Sequence, residues 1–277
     1  MSFLIEAFEP AFMQRALIGG LIAVVATSLV GTWIVLRGLS FLGDALAHGV
    51  IPGVALAVLW GFNPALGAFL SALVMSGLVT FVSNRTPVRD DTAIGLLFVG
   101  MLALGVVIVS KAGSFKTDVT AILFGDALGI TARDIQTQII YTSIVVVLTG
   151  FLYRPFLALT FNQMKAQTLG MRPRMAQAAL LGLLSLSIVA SFQSIGTLLV
   201  FGLLVAPPAT ASLLVKRVPL IMAVSVLLGS LSVVAGLVIS FHHGTAGGAT
   251  MAGISVLLFF TVLIGHTGII FLRKLKT

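Results

Sequence analysis

Two residues in the stretch FLGDALAHGVIPGVALAVLW (residues 41–60) stand out from an otherwise apolar run: Asp44 and His48. They are four positions apart, which on a helix puts them on one face, one above the other. Pro52 follows four residues later. It has no N–H to offer the carbonyl of residue 48, so a helix here should bend and leave a polar oxygen beside the imidazole. An ionised aspartate near the centre of a membrane helix costs about 2.5–3.5 kcal/mol on insertion scales, so it should face protein, water or a ligand. Carboxylate oxygen, imidazole nitrogen and a freed carbonyl together suit Mn²⁺ or Zn²⁺. Two simpler readings compete. The pair could hydrogen-bond a neighbouring helix, or itself, and so hold a bundle together. It could also relay protons, as acid–imidazole pairs do in pumps. The pair alone does not decide among the three.

The rest of the chain identifies the solvent around these residues as lipid. Its 277 residues are 58% hydrophobic and only 9% charged, with a mean hydropathy of +1.17. An ordinary soluble domain is about 25% charged. Cysteine is absent, which excludes disulfides and thiolate metal sites. The first ten residues, MSFLIEAFEP, are acidic and do not resemble a secretory signal. The net charge of +8 fits basic cytoplasmic loops better than nucleic acid as a partner.

Crossing about 30 Å of hydrocarbon takes roughly 20 apolar residues on a helix. Nine runs qualify: about 12–36, 41–60, 64–83, 92–110, 135–153, 176–193, 196–215, 219–241 and 249–271. The expected fold is therefore all-α, a polytopic transmembrane helical bundle forming one domain over 1–277, with boundaries compatible with eight to ten spans. GFNP should make a tight hairpin turn between the second and third runs. With the N-terminus outside and the C-terminus inside, four basic residues fall outside (Arg15, Lys111, Lys116, Arg133) and the other twelve inside, as the positive-inside rule prefers. A rise of about 1.5 Å per residue then puts Asp44 roughly 10 Å from the inner interface and His48 near mid-membrane.

Two connections are longer than simple turns. Residues 111–134 should lie outside and carry a short apolar piece, VTAILFGDALGI, suited to a re-entrant or interfacial helix. Residues 154–175 should lie inside, with helix-forming residues between Asn162 and Leu169, a stop at Gly170 and Pro173 beyond. Asp90, Asp91 and Thr92 precede an apolar run, where helix capping explains them. Pro207-Pro208 should break the seventh run and free the carbonyls of residues 203 and 204. Glu6, Glu9, Lys111, Lys116 and Asp118 fall on the expected outer face, where charges would steer a docking protein.

The order of motifs adds a likeness. RALIGGLIAVVATSLVGTWIVLRGLSFLGDALAHGVIPGVALA, RDDTAIGLLFVGMLALGVVI, ILFGDALGI, FNQMKAQTLGM and SIGTLLVFGLLVAPPATASLL follow one another across most of residues 12–215. This series resembles the permease subunits of bacterial metal-ion ABC importers. The resemblance implies a homodimer in the bacterial inner membrane, with an ion path between the two copies. Each copy would be driven by a cytoplasmic ABC ATPase, two in all, and supplied by an extracytoplasmic metal-binding protein. The family's membrane aspartate and histidine fall on Asp44 and His48. Its ATPase-coupling loop falls within 154–175, around Ala166, Leu169 and Gly170.

His242-His243, in ISFHHGTAGGAT, departs from the aromatic or small residues expected there. At an outer helix end they could receive metal, which tilts the cargo toward zinc, or they could anchor the interface. His266 reads as an interfacial polar residue. No GxxxxGK[ST] phosphate loop occurs in the chain, so it should not itself be an ATPase of that type. No permanently bound cofactor is expected, only transported Zn²⁺ or Mn²⁺. The competing function is a stand-alone proton-coupled metal carrier or channel.

Overall fold

The computed structural model describes residues 6–85, 90–111, 130–161 and 171–274. Within them lie ten helices: α1 (Ala11–Leu36), α2 (Ser40–Gly49), α3 (Ile51–Trp60), α4 (Pro64–Arg85), α5 (Asp90–Lys111), α6 (Ala132–Phe151), α7 (Tyr153–Phe161), α8 (Pro173–Leu214), α9 (Val218–His243) and α10 (Gly247–Lys274). No strand occurs among the described residues. Eight stretches are long and apolar enough to cross a membrane, α2 and α3 counting together, and Val200–Leu214 is a shorter apolar piece. The architecture is the expected polytopic bundle of about nine spans.

α1 is its centre. Two-thirds of its most apolar window is buried inside the chain, against about one-sixth for α5. Close packing there relies on small residues. The carbonyl of Leu204 lies against Gly31, and Val233 lies against Gly20, where a Cβ would collide with either. Buried hydroxyls are absorbed by the helix's own carbonyls, Thr27 Oγ1 donating to Ala23 at 2.8 Å and Thr32 Oγ1 to Ser28 at 2.7 Å. Gln138 of α6 donates to the Gly19 carbonyl at 3.0 Å near the start of α1. Tyr153 and Phe156 of α7 meet Trp33 edge-on near its end, at 5.5 and 5.7 Å.

α8 has 42 residues, about 63 Å if straight and far more than one crossing needs. Its neighbours show two crossings. Met175 and Ala176 lie by Leu152 and Pro155, at the end of the bundle where α1 finishes. Ser185 then meets Ser76, and Leu186 and Val189 line a cavity of about 340 Å³ with Asn63 and Tyr141, towards the other end. Further on, Leu204 and Pro208 pack on Gly31. The helix stops at Leu214, just before α9, which runs antiparallel to α1 with Gly229 at Val24 and Val233 at Gly20. Pro173 and Leu214 therefore share one end, as the sixth and seventh predicted spans require.

Pro207 and Pro208 differ from expectation. The helix passes through both without a break. The carbonyl freed by Pro208 is Leu204's, and it is pressed on Gly31, where a Cα–H contact takes the place of the lost donor.

The hairpin at GFNP forms as predicted. Gly61 adopts the left-handed conformation (φ 72°), and the N–H of Phe62 returns to the Ala57 carbonyl at 3.0 Å, closing α3. The Asn63 carboxamide oxygen accepts the N–H of Ala65 at 2.8 Å and opens α4, with Pro64 as its first residue. Arg37, Arg154, Arg172, Arg174, Lys216 and Arg217 flank helix termini at the end away from this hairpin; we refer to it as the basic end.

Candidate metal centre

α2 presents one side to the bundle and another outward. From Leu42 to Gly49 every residue is buried except Asp44 and His48. The inward side is made of small residues because the neighbours leave no room. A Cβ on Gly43 would meet Leu204, and one on Gly49 would meet the Met75 sulfur. With its back pressed against α8 and α4, the helix keeps its polar residues on the side that α5 only partly covers. Each of the two side chains is 29% exposed.

His48 Nδ1 lies 3.1 Å from the backbone carbonyl of Asp44 and 3.5 Å from Asp44 Oδ1. A carbonyl can only accept, so Nδ1 carries the proton and donates. That assignment leaves the lone pair on Nε2, the arrangement found when a histidine binds metal through one nitrogen and is oriented through the other. Phe98 of α5 packs edge-on against the imidazole, ring centroids 5.6 Å apart.

The bend predicted from Pro52 is present: α2 ends at Gly49, Val50 is a turn, and α3 begins at Ile51. Pro52 offers the His48 carbonyl no N–H, as expected. The next carbonyl, that of Gly49, receives the Ser71 hydroxyl from α4 at 2.7 Å. Sequence reasoning missed Ser71, since nothing local links it to a residue 22 positions away. Ser71→Ala would strand a buried carbonyl, which costs about 1–3 kcal/mol. The expected result is a lower unfolding temperature together with weaker metal binding, read by thermal melts with and without Mn²⁺.

The other predicted residues lie elsewhere. His242 and His243 end α9 before Gly244 (φ 62°). His242 packs edge-on to Phe241 at 5.3 Å, and His243 is exposed. They occupy the end of the bundle opposite the basic end. As neighbours in sequence on a helix, they do not face each other. His266 is exposed in α10. α5 starts at Asp90, so Asp90, Asp91 and Thr92 form its first turn instead of preceding it. Glu6 and Glu9 are exposed. Ala166, Leu169 and Gly170, and the apolar piece within 111–134 with Lys116 and Asp118, lie outside the described residues. Among the described residues no three His, Cys, Asp or Glu side chains gather. Asp44 and His48 thus stand as a carboxylate and an imidazole side by side, each partly exposed.

Residues 9–266 match the model of the ABC 3 transport family. The chain belongs to the ABC 3 transport family. Like other ABC 3 permeases, it is a multi-pass plasma-membrane protein and a permease subunit of a metal-ion ABC importer, not itself catalytic. It is 33% identical to the manganese transport system membrane protein MntC of Listeria monocytogenes, covering 99% of this chain and 98% of that one. Identity is 36% with the manganese import system permease protein ScaB of Streptococcus gordonii (90% and 89% covered). It is 31% with the chelated iron transport system membrane protein YfeD of Yersinia pestis (95% and 88%). The structure of PsaBC from Streptococcus pneumoniae in complex with Fab superposes with a TM-score of 0.84 at 30% identity, covering 94% of each chain. In this ABC 3 permease the pair singled out from sequence spacing alone stands on a partly covered face of the second crossing.

Proposed function

We propose that this chain is the membrane half of an ATP-driven importer of divalent transition metal ions, with manganese its first cargo, and that Asp44 and His48 bind the ion in transit. One observation carries this: a carboxylate and an imidazole with a free Nε2 share the partly covered stripe of a helix whose other side is sealed. A second copy facing this stripe would bring two carboxylates and two imidazoles to one ion, and the path would run between the copies. Oxygen and nitrogen donors accept manganese, iron and zinc. Relatives named for manganese and iron favour the first two, while His242 and His243 at the far end would suit delivery of zinc.

The basic end is cytoplasmic in this reading, as the positive-inside rule prefers. The FNQMKAQTLGM stretch, with Ala166, Leu169 and Gly170, contacts a cytoplasmic ATPase, one per copy. A binding protein delivers metal at the opposite face.

The experiment is reconstitution of the chain in liposomes with and without its ATPase. ATP-dependent uptake of Mn²⁺, Fe²⁺ and Zn²⁺ is measured in parallel. Concentrative uptake by the chain alone, lost when the proton gradient is collapsed, would instead make it a proton-coupled carrier. Protonation removes the lone pair that binds metal, and the ordinary imidazole pKa is about 6.5. Uptake is therefore expected to fall as the pH of the outer compartment is lowered through the range in which the imidazole protonates, a dependence that His48→Asn flattens, read by initial rates across the pH series.

A further inference from the structure

Two aromatic rings on the face of Asp44 and His48 have no part in ligating an ion. Phe41 stands three residues before Asp44 on the same open stripe of α2 and is 44% exposed. Phe98, from the middle of α5, lies edge-on to Phe41 at 5.9 Å and to His48 at 5.6 Å. It therefore runs alongside the stripe from one turn before the carboxylate up to the imidazole. α2 begins at the basic end, so Phe41 stands between the polar pair and that end. An ion leaving Asp44 and His48 in that direction meets no further carboxylate or imidazole on α2, only the two rings and the Ser40 hydroxyl one turn before Asp44.

Walls of this kind stop ions without filling the whole path. A dication keeps its water or exchanges it for protein donors, and a narrow apolar constriction excludes that water. We propose that Phe41 and Phe98 form a hydrophobic gate at the metal site, Phe98 beside the polar pair and Phe41 on its basic-end side. The gate holds the ion at Asp44 and His48 until the helices move, a role that rests on the transport reading above. Phe98 touches both the other gate ring and the ligand ring. Displacing it opens the gate and loosens the imidazole in one step, which ties exit of the ion to its release.

The test uses the chain with its ATPase in liposomes that enclose a Mn²⁺-quenched dye. Metal entry down its gradient is recorded without ATP. The Phe41→Ala/Phe98→Ala double variant is expected to leak about tenfold faster than the parent, because the dry constriction is gone. Phe41→Ala alone, at an exposed position where little packing is lost, should leak about threefold faster, and Phe98→Leu, which keeps the wall apolar, should stay near the parent rate. Well-folded alanine variants that leak no faster would overturn the gate, as would Phe98→Leu leaking as fast as the double variant. Parent protein that shows ATP-driven uptake alongside either result confines the failure to the gate. Parent protein that shows none removes the transport reading beneath it.

Discussion

Replacing His48 by alanine is expected to lower ATP-driven metal uptake about 100-fold, the upper end of what removing a partner from outside the first coordination shell costs a metal site. The substitution removes the free Nε2, and among the described residues no third His, Cys, Asp or Glu stands by the pair to take over. Folding should survive, because the ring is partly exposed and its hydrogen bond is to its own helix. Asp44→Asn keeps the shape and the packing but removes the charge, so its expected loss is similar, with an unchanged melting temperature without metal. Uptake rates and Mn²⁺-dependent thermal shifts separate the two contributions. Transport that is indifferent to both substitutions would reduce the pair to a structural role, one helix turn tied to the next.

The largest expected effect on stability is at the hairpin. Gly53 of α3 and Gly67 of α4 lie backbone to backbone. A Cβ on Gly67 would overlap the Gly53 carbonyl and stand 2.7 Å from the Ala57 Cβ, and one on Gly53 would stand 2.6 Å from the Ser71 Cβ. The obstacle is main chain, which cannot swing away as a long side chain can. Overpacking of a core typically costs about 1–3 kcal/mol, and a backbone collision belongs at the upper end or beyond. Gly67→Val is therefore expected to abolish recovery of monodisperse protein, read by size-exclusion chromatography of the detergent-solubilised membrane fraction. Gly77→Ala, at a position with nothing within 4 Å of a new Cβ, is the matched control and should behave as the parent.

Much of the fold could be read from apolar runs and their punctuation. The nine runs map onto the helices within a few residues, and Gly61, Asn63 and Pro64 make the hairpin for the reasons their types suggested. Pro52 ends a helix three residues upstream, at Gly49, also as its chemistry suggests. The double proline at 207–208 misled, because the cost of a missing N–H depends on what else meets the carbonyl. There a glycine seven helices earlier in the chain, Gly31, accepts the contact. Asp44 and His48 were legible because a charge and an imidazole inside an apolar run are improbable without a partner. Ser71, Phe41 and Phe98 were not, since serine and phenylalanine are ordinary in such a chain. Their significance comes from contacts with Gly49 and His48 across 22 and 50 positions, which no local pattern encodes.

The glycine contact that makes the hairpin fragile also makes it stiff. With Gly53 and Gly67 touching through their main chains and Ser71 fastened to Gly49, α3 and α4 cannot slide past each other. They form one lever whose far arm ends at Arg85, at the basic end, and whose fulcrum is the interruption at Val50. A displacement of the far arm is therefore expected to reach Val50, two residues from the imidazole.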